Sequence, residues 1–117
     1  MGAPLCPSRV FPKIERYVVR LEGPSGPQRF DLAAGPVVIG RHDRCEYQVA
    51  STELSRVHVC LYVHQGRAWA ADMRSQNGSR MDGDRLQFGR PRPLPSTGDV
   101  LLTLHNVGVE VHVETVA

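Results

Sequence analysis

The chain has 117 residues, of which 41% are hydrophobic and 22% charged, and it carries a formal net charge of +2. This length and composition suit one folded domain with a single core, and they exclude a disordered or a fibrous chain. Because no apolar run is long enough to span a bilayer and no signal-peptide core is visible, we expect a cytoplasmic protein. The small net charge gives no reason to expect nucleic acid or a membrane surface as the partner.

The N-terminal residues 1–15 contain three prolines and no sustained period, so we predict an extended tail there. Residues 16–117 are predicted to form the folded domain. Its first strand alternates apolar and polar residues from Tyr17 to Leu21 and stops at the Gly- and Pro-rich turn 23–27. Further strands are predicted at 28–32, 37–39, 47–49, 57–64, 67–73, 100–104 and 109–113.

The strand at 57–64 is expected to be the longest, with its apolar residues from Val57 to Val63 on one face. Gln65-Gly66 and Asp82-Gly83 predict tight hairpins, and 106–108 is the predicted turn of the closing strand pair. Trp69 is expected to be the largest core side chain. Since no segment has a period of 3.6 over three turns, the sequence predicts an all-β sandwich.

Three short polar clusters follow or precede these apolar runs, so we expect them on loops at strand ends. They are Gly40-Arg41, Ser55-Arg56-Val57-His58 and Ser75-Gln76-Asn77-Gly78-Ser79. An arginine presents paired donors that match a phosphate, and a serine hydroxyl can add another. The asparagine amide both donates and accepts, which suits a peptide backbone. We interpret the clusters as one surface that grips a phosphate and the backbone beside it.

The order and spacing of these clusters, together with Gly83 in residues 81–86, resemble the forkhead-associated (FHA) domain family over about residues 17–113. The resemblance implies a two-sheet antiparallel β-sandwich of the FHA/SMAD type, with its functional loops at one end. It also implies a module, without a cofactor, that recognises phosphothreonine in a partner protein. That partner would be the substrate of a Ser/Thr kinase, in signalling or assembly.

The same resemblance assigns roles to single residues. Arg41 and Ser55 would bind the phosphate, and Arg56 would assist them or hold the peptide backbone. Asn77 would bind the peptide main chain. The family commonly has Thr or Ser where this chain has Gln76, whose amide lacks a hydroxyl but can still donate a hydrogen bond.

A second group of residues is expected to shape the loops instead of contacting the peptide. It consists of Gly40, His58 and Gly78. Glycine at position 40 allows the backbone to turn closely after a strand, and the histidine is expected to hydrogen-bond loop backbone. Ser79 stands where the family more often has Thr.

Other functions remain open at this level. An FHA-like scaffold would dock a protein partner independently of phosphorylation, through a sheet face. Metal binding is a further alternative, but its five candidate ligands match no zinc template, so we predict no metal site. Those candidates are His42, Cys45, His58, Cys60 and His64. We predict no enzyme, because no strand-turn-helix elbow surrounds Ser55 and the carboxylates form no evident acid–base pair.

Overall fold

A computed structural model describes residues 16–116, so the predicted tail at 1–15 lies outside the described residues. Within this range the chain forms eleven β-strands and one turn of 3-10 helix, Leu32–Ala34. The strands are β1 (Arg16–Gly23), β2 (Gly26–Asp31), β3 (Val37–Gly40), β4 (Tyr47–Gln48), β5 (Val59–His64), β6 (Arg67–Asp72), β7 (Ser79–Met81), β8 (Asp84–Leu86), β9 (Arg92–Pro93), β10 (Gly98–Leu104) and β11 (Val107–Val116). No helix among residues 16–116 is long and apolar enough to cross a membrane.

The strands form two sheets, which confirms the predicted all-β sandwich. One has six strands in the order β2-β1-β11-β10-β7-β8, and the other has five in the order β4-β3-β5-β6-β9. Neighbouring strands pair antiparallel except β3 and β4, which pair parallel with Ile39 opposite Tyr47. The antiparallel prediction is therefore correct for every pair but this one.

A single hydrophobic core fills the space between the sheets. Strand β11 contributes every second residue, and Val109, Val111 and Val113 are all buried. From the other sheet Val59 and Leu61 are fully enclosed. Because burying one such side chain stabilises the fold by about 1.5–3 kcal/mol, this layer is the rigid support on which the loops rest.

The strand predicted at 57–64 is shorter than expected. Strand β5 begins only at Val59, and Val57 is 41% exposed. The reason is that the preceding backbone bonds to the end of β3 and the loop after it: His58 N–H donates to Ile39 O at 2.9 Å, and Arg56 O accepts from His42 N–H at 3.2 Å. The longest strand is instead β11, with ten residues.

The prediction that Trp69 is the largest core side chain is wrong. Ala68 and Ala70 occupy the buried positions of β6, and side chains alternate along a strand, so Trp69 faces outward and is only half-buried. Its indole N–H donates to the backbone oxygen of His64 at 3.2 Å. The neighbouring Arg67 guanidinium lies 5.8 Å from the ring centroid.

The predicted tight hairpins are confirmed. Gln65-Gly66 has φ values of 52° and 75°, and Asp82-Gly83 has 49° and 88°. Two successive left-handed residues are typical of the turn whose twist matches paired strands. The turn between β10 and β11 is His105-Asn106, which starts one residue earlier than predicted.

Tyr47 is the largest fully buried side chain in the described part of the chain. Its hydroxyl accepts a hydrogen bond from Gly23 N–H at 2.8 Å and donates one to Gly26 O at 2.7 Å. The phenol thus extends from the edge of one sheet to the β1–β2 turn of the other. It both fills the core and ties the two sheets together.

We expect Tyr47→Phe to lower the free energy of unfolding by about 1–3 kcal/mol, because it removes both hydrogen bonds and leaves the backbone groups at Gly23 and Gly26 without that partner. Urea unfolding measures this. Tyr62→Phe is the matched control, since Tyr62 lies on the outer face of β5 and its loss should change stability by less than about 0.5 kcal/mol. Equal effects of the two substitutions would contradict the role of the Tyr47 hydroxyl.

Candidate functional site

Loops at one end of the sandwich bring the three polar clusters together. They are the connections β3–β4, β4–β5 and β6–β7. Arg41 N–H donates to Ser55 O at 3.0 Å, and Gln76 N–H donates to the Ser55 hydroxyl oxygen at 2.9 Å. Ser55 is therefore the point at which all three loops meet, although the clusters lie 14 and 21 positions from it in the chain.

The Arg41 side chain is exposed, and one end of its guanidinium is held in place. The Nε–H of this guanidinium donates to Leu54 O at 3.0 Å. The backbone oxygen of Arg41 accepts from the Gln48 side-chain amide at 3.1 Å. The terminal Nη groups bond to none of the residues that the structure describes. This leaves paired donors on an oriented guanidinium, the arrangement that matches an oxyanion.

The Ser55 hydroxyl donates to no residue that the structure describes. Its oxygen already accepts the Gln76 N–H, so the hydroxyl hydrogen is available for a second partner. A backbone hydrogen bond joins Arg41 to Ser55, so the two residues that carry the guanidinium and the hydroxyl are neighbours at this end of the sandwich.

Asn77, Gln76 and Arg56 surround this pair with exposed polar side chains. Asn77 Nδ2 donates to Glu53 O at 2.7 Å, which orients the amide while leaving its oxygen available to accept. Within residues 16–116, the side chains of Gln76 and Arg56 make no recorded hydrogen bond or ion pair. The structure thus places all five predicted contact residues at one end of the molecule.

His58 is fully buried and joins two of the loops. Its Nδ1 faces the backbone N–H of Ser55 at 3.1 Å and must accept, so Nε2 carries the hydrogen and donates to Gly78 O at 2.9 Å. Burial lowers the pKa of His58 and outweighs the nearby Gly78 oxygen and Asp72, which act in the opposite direction. The ring contacts the backbone of Ser55 and not its hydroxyl, so the two residues do not form a nucleophile–base pair.

Asp72 organises the third loop, a role that was not among the predictions from the sequence. Its carboxylate accepts from the Ser75 N–H at 3.0 Å, the Ser75 hydroxyl at 2.5 Å and the Ser79 hydroxyl at 2.6 Å. Burial by itself would raise the pKa of Asp72, but the bonds from Ser75 and Ser79 outweigh it and hold the pKa below its ordinary value. The signal in the sequence was an aspartate three residues before a serine at a strand end, which is typical of a side-chain-capped turn.

Two glycines meet distinct requirements of the loop backbone. A Cβ added at Gly40 would lie 2.2 Å from the backbone oxygen of Arg56, so no side chain fits at the junction of the first two loops. Gly78 has a φ of 85°, in the left-handed region that favours glycine. The close approach at position 40 and the turn at position 78 both position residues next to Ser55.

A shallow, positively charged pocket of about 120 Å³ continues from Asn77 along the edge of the six-stranded sheet. Arg80, Arg85 and His105 contribute to its lining. Arg80 and Arg85 are directly opposite each other on β7 and β8. This basic surface therefore lies directly beside Asn77.

The five His and Cys side chains considered as metal ligands are not gathered into one group among residues 16–116. Both ring nitrogens of His58 already bond to backbone. His42 Nδ1 accepts from the backbone N–H of Arg44 at 3.0 Å.

Comparison with known proteins identifies a family and a set of similar folds. The sequence model of the FHA domain family matches residues 37–102, which is more than half of the chain. Comparison with curated protein sequences gives no significant match.

Among solved structures, the FHA-1 domain of Mycobacterium tuberculosis Rv1747 has 24% sequence identity to this chain and a TM-score of 0.69, covering 85% of this chain and 98% of that one. The FhaA FHA domain, solved in complex with the intracellular domain of Rv3910, has 23% identity and a TM-score of 0.64 over 82% of this chain and 99% of that one. A third structure comes from work on phosphothreonine-dependent FHA domain interactions, with 23% identity and a TM-score of 0.64 over 83% and 95% of the two chains. At these identities the similarity establishes the fold.

We expect Gly40→Ala to destabilise the protein by about 1–3 kcal/mol, because the new methyl group meets the Arg56 carbonyl and one backbone must move. The matched control is Gly108→Ala in β11, where the Cβ would meet only the Leu101 side chain, at an ordinary 3.6 Å. Urea unfolding of both variants measures the difference. If the two substitutions had the same effect, the close approach at Gly40 would not be a constraint.

Acid is expected to destabilise the loops through His58. The folded protein holds this ring neutral, whereas the unfolded chain takes up a proton near the ordinary pKa of 6.5. Its stabilising contribution is therefore complete above about pH 6.5 and is lost as the pH falls below that value towards the lowered folded pKa. Asp72 shifts in the same direction but acts only below its ordinary pKa of 3.8.

Urea unfolding between pH 7.5 and 5 measures this dependence. The wild type should lose stability below pH 6.5, and the part due to His58 should be absent from His58→Gln. His64→Gln, which replaces an exposed histidine at the opposite hairpin, should keep the wild-type slope. A His58→Gln protein with an unchanged slope would show that another group titrates.

Proposed function

This chain belongs to the FHA domain family, and from that membership we propose that it binds phosphothreonine in a partner protein through the loops that carry Arg41, Ser55 and Asn77. The observation that carries the proposal is the hydrogen bond from Arg41 N–H to Ser55 O, which makes neighbours of a residue with guanidinium donors and a residue with a hydroxyl donor. A solved structure from work on phosphothreonine-dependent FHA domain interactions shares the fold over 83% of this chain.

The chemistry of the ligand matches the donors. A phosphothreonine carries about −1.5 to −2 charges at neutral pH and has three strong acceptor oxygens. The Arg41 Nη groups can take two of these oxygens and the Ser55 hydroxyl the third. Hydrogen bonds to a charged group contribute roughly 1.5–3 kcal/mol each, so these two side chains are enough to make binding depend on phosphorylation.

The neighbouring residues are proposed to hold the peptide on either side of the phosphate. Asn77 offers an amide oxygen and a second N–H to the peptide main chain. Arg56 adds positive charge, and Gln76 can donate from its side-chain amide where a hydroxyl is more usual in the family. The basic pocket that begins at Asn77 favours a peptide with acidic residues next to the phosphothreonine.

We propose that the partner is the substrate of a Ser/Thr kinase and that binding takes place in the cytoplasm as part of signalling or assembly. The two cysteines in the described residues are free thiols, which suits a reducing compartment. The chain would act as a binding module and not as an enzyme, since His58 is occupied by loop backbone instead of the Ser55 hydroxyl.

The central test is Arg41→Ala measured by titration with a phosphothreonine peptide and its unphosphorylated counterpart. Loss of the guanidinium contacts should weaken binding of the phosphopeptide at least about tenfold. Ser55→Ala should weaken it in the same direction. Arg41→Ala removes the bond from Nε–H to Leu54 O, and Ser55→Ala removes the bond from Gln76 N–H, so each variant should stay folded in urea unfolding and lose about 0.5–1.5 kcal/mol of stability.

Arg29→Ala is the matched control, because it removes one exposed arginine from β2, outside the loop cluster. It changes the net charge by the same amount and should bind as the wild type does. A wild-type protein that binds both peptides equally would favour docking independent of phosphorylation. An Arg41→Ala protein with full affinity for the phosphopeptide would exclude the proposed site.

A further inference from the structure

Four ionisable side chains converge on the outer face of the six-stranded sheet, outside the loops described above. They lie on three neighbouring strands and are Glu22, Asp99, Glu110 and His112. Glu22 is directly opposite Glu110, and Asp99 is directly opposite His112. His112 is five residues beyond the start of β11, which corresponds to about 16 Å along the strand from the end that carries the loops.

The orientation of the His112 ring is set by Asp99. Nδ1 lies 2.6 Å from an Asp99 carboxylate oxygen, and since a carboxylate accepts, Nδ1 carries the hydrogen. In this tautomer the lone pair of Nε2 is directed towards the two glutamates. A carboxylate behind the imidazole in this way is the usual support for a metal-binding histidine, because it fixes the ring and raises its basicity.

His112 Nε2 has no hydrogen-bond partner among the described residues, although the atom is enclosed. It lies 3.6 Å from Glu22 Oε2 and 3.7 Å from Glu110 Oε1, which is too long for a hydrogen bond in either protonation state. An enclosed polar atom without a partner is costly, because it has lost its water. At this spacing a single cation can contact the ring nitrogen and both carboxylates at once.

The side chains around His112 Nε2 carry mostly negative charge. Glu22 and Glu110 are like charges directly opposite each other on adjacent strands, which destabilises the pair. Asp99 adds a third carboxylate. Arg20 Nη2 lies 3.0 Å from Glu22 Oε2 and offsets one of the three charges. Each carboxylate oxygen has two lone pairs, so Glu22 can bind this guanidinium and a second cation together.

We infer that Glu22, Glu110 and His112 form a binding site for a divalent transition-metal ion, with Asp99 holding the histidine in place. One ligand atom from each of the three residues lies within 4.8 Å of the others. Atoms bound to one Zn²⁺ at about 2.1 Å lie about 3.4 Å from each other, so only small side-chain rotations are needed. One imidazole with two carboxylates suits Zn²⁺ or Mn²⁺, and water can complete the coordination on the exposed side.

Such an ion would connect β1 to β11 directly and β10 through Asp99. It would act on the sheet and not on the loops, so phosphopeptide binding and metal binding are independent properties. The prediction of no metal site considered only five His and Cys side chains elsewhere in the sequence. The four residues of this cluster are spread over 91 positions, and no local spacing links them.

Titration of the chelator-treated full chain with ZnCl₂ by calorimetry tests the inference, with MnCl₂ as the second ion and MgCl₂ as the control. One Zn²⁺ should bind per chain and raise the unfolding temperature, because the ion binds the folded state. His112→Gln and Glu110→Gln should each lose this event, and Asp99→Asn should weaken it about 10–100-fold. Arg20→Gln should strengthen it, because the competing cation is removed.

Two further measurements separate this site from zinc bound elsewhere. His64→Gln should bind Zn²⁺ as the wild type does. The ¹⁵N resonance of His112 Nε2 should shift on Zn²⁺ addition while Nδ1 stays protonated. The inference is overturned if the wild type binds no Zn²⁺, or if Glu110→Gln and His112→Gln bind it with unchanged affinity. Glu110 is exposed, so its substitution tests the site even where His112→Gln fails to fold.

Discussion

The loop end of this domain depends on one buried imidazole. His58 accepts the N–H of Ser55 on one side and donates to the oxygen of Gly78 on the other, so a single ring sets the distance between two loops that are 23 residues apart. Neither bond tolerates a change of tautomer, since a carbonyl cannot donate and an N–H cannot accept. The proposed binding of phosphothreonine rests on the loop separation that this ring maintains.

The functional loops are kept in shape by bonds to backbone more than by contacts between side chains. Gly40 allows two chain segments to approach more closely than any side chain would permit. The Asp72 carboxylate accepts three hydrogen bonds from Ser75 in the third loop and Ser79 at the start of β7. These groups lie beneath the surface, while Arg41 and Asn77 remain exposed above them. If a phosphate binds as proposed, it meets donors on loops that are already held in place, which reduces the entropy lost on association.

The two candidate sites use opposite charges on separate parts of one sandwich. The loop end presents arginine donors to an anion, whereas the outer face of the six-stranded sheet gathers three carboxylates around a histidine. The net charge of the chain is only +2, so the total charge does not indicate that basic and acidic residues lie on different surfaces. The charge of each surface, and not the net charge of the chain, determines which ligand that surface can bind.

Local patterns were sufficient for much of the fold. The alternation along β1 and β11, the turns at Gln65-Gly66 and Asp82-Gly83, and the lack of helical periods predicted an all-β sandwich because each depends on neighbours in the chain. The family resemblance added the site residues, and the structure does place Arg41, Ser55 and Asn77 at one end. What each of them binds remains a proposal.

The predictions for Val57 and Trp69 were wrong because contacts with distant segments determine where these residues lie. Val57 leaves its strand because the backbone around it bonds to β3 and the following loop, and Trp69 faces outward because its alanine neighbours take the buried positions. The sequence by itself determined the strand periods, the tight turns and the residue types available for an anion site. Only the tertiary structure decided that Ser55 meets Gln76 and that Glu22 faces Glu110, because pairing between strands depends on register, which no local pattern contains.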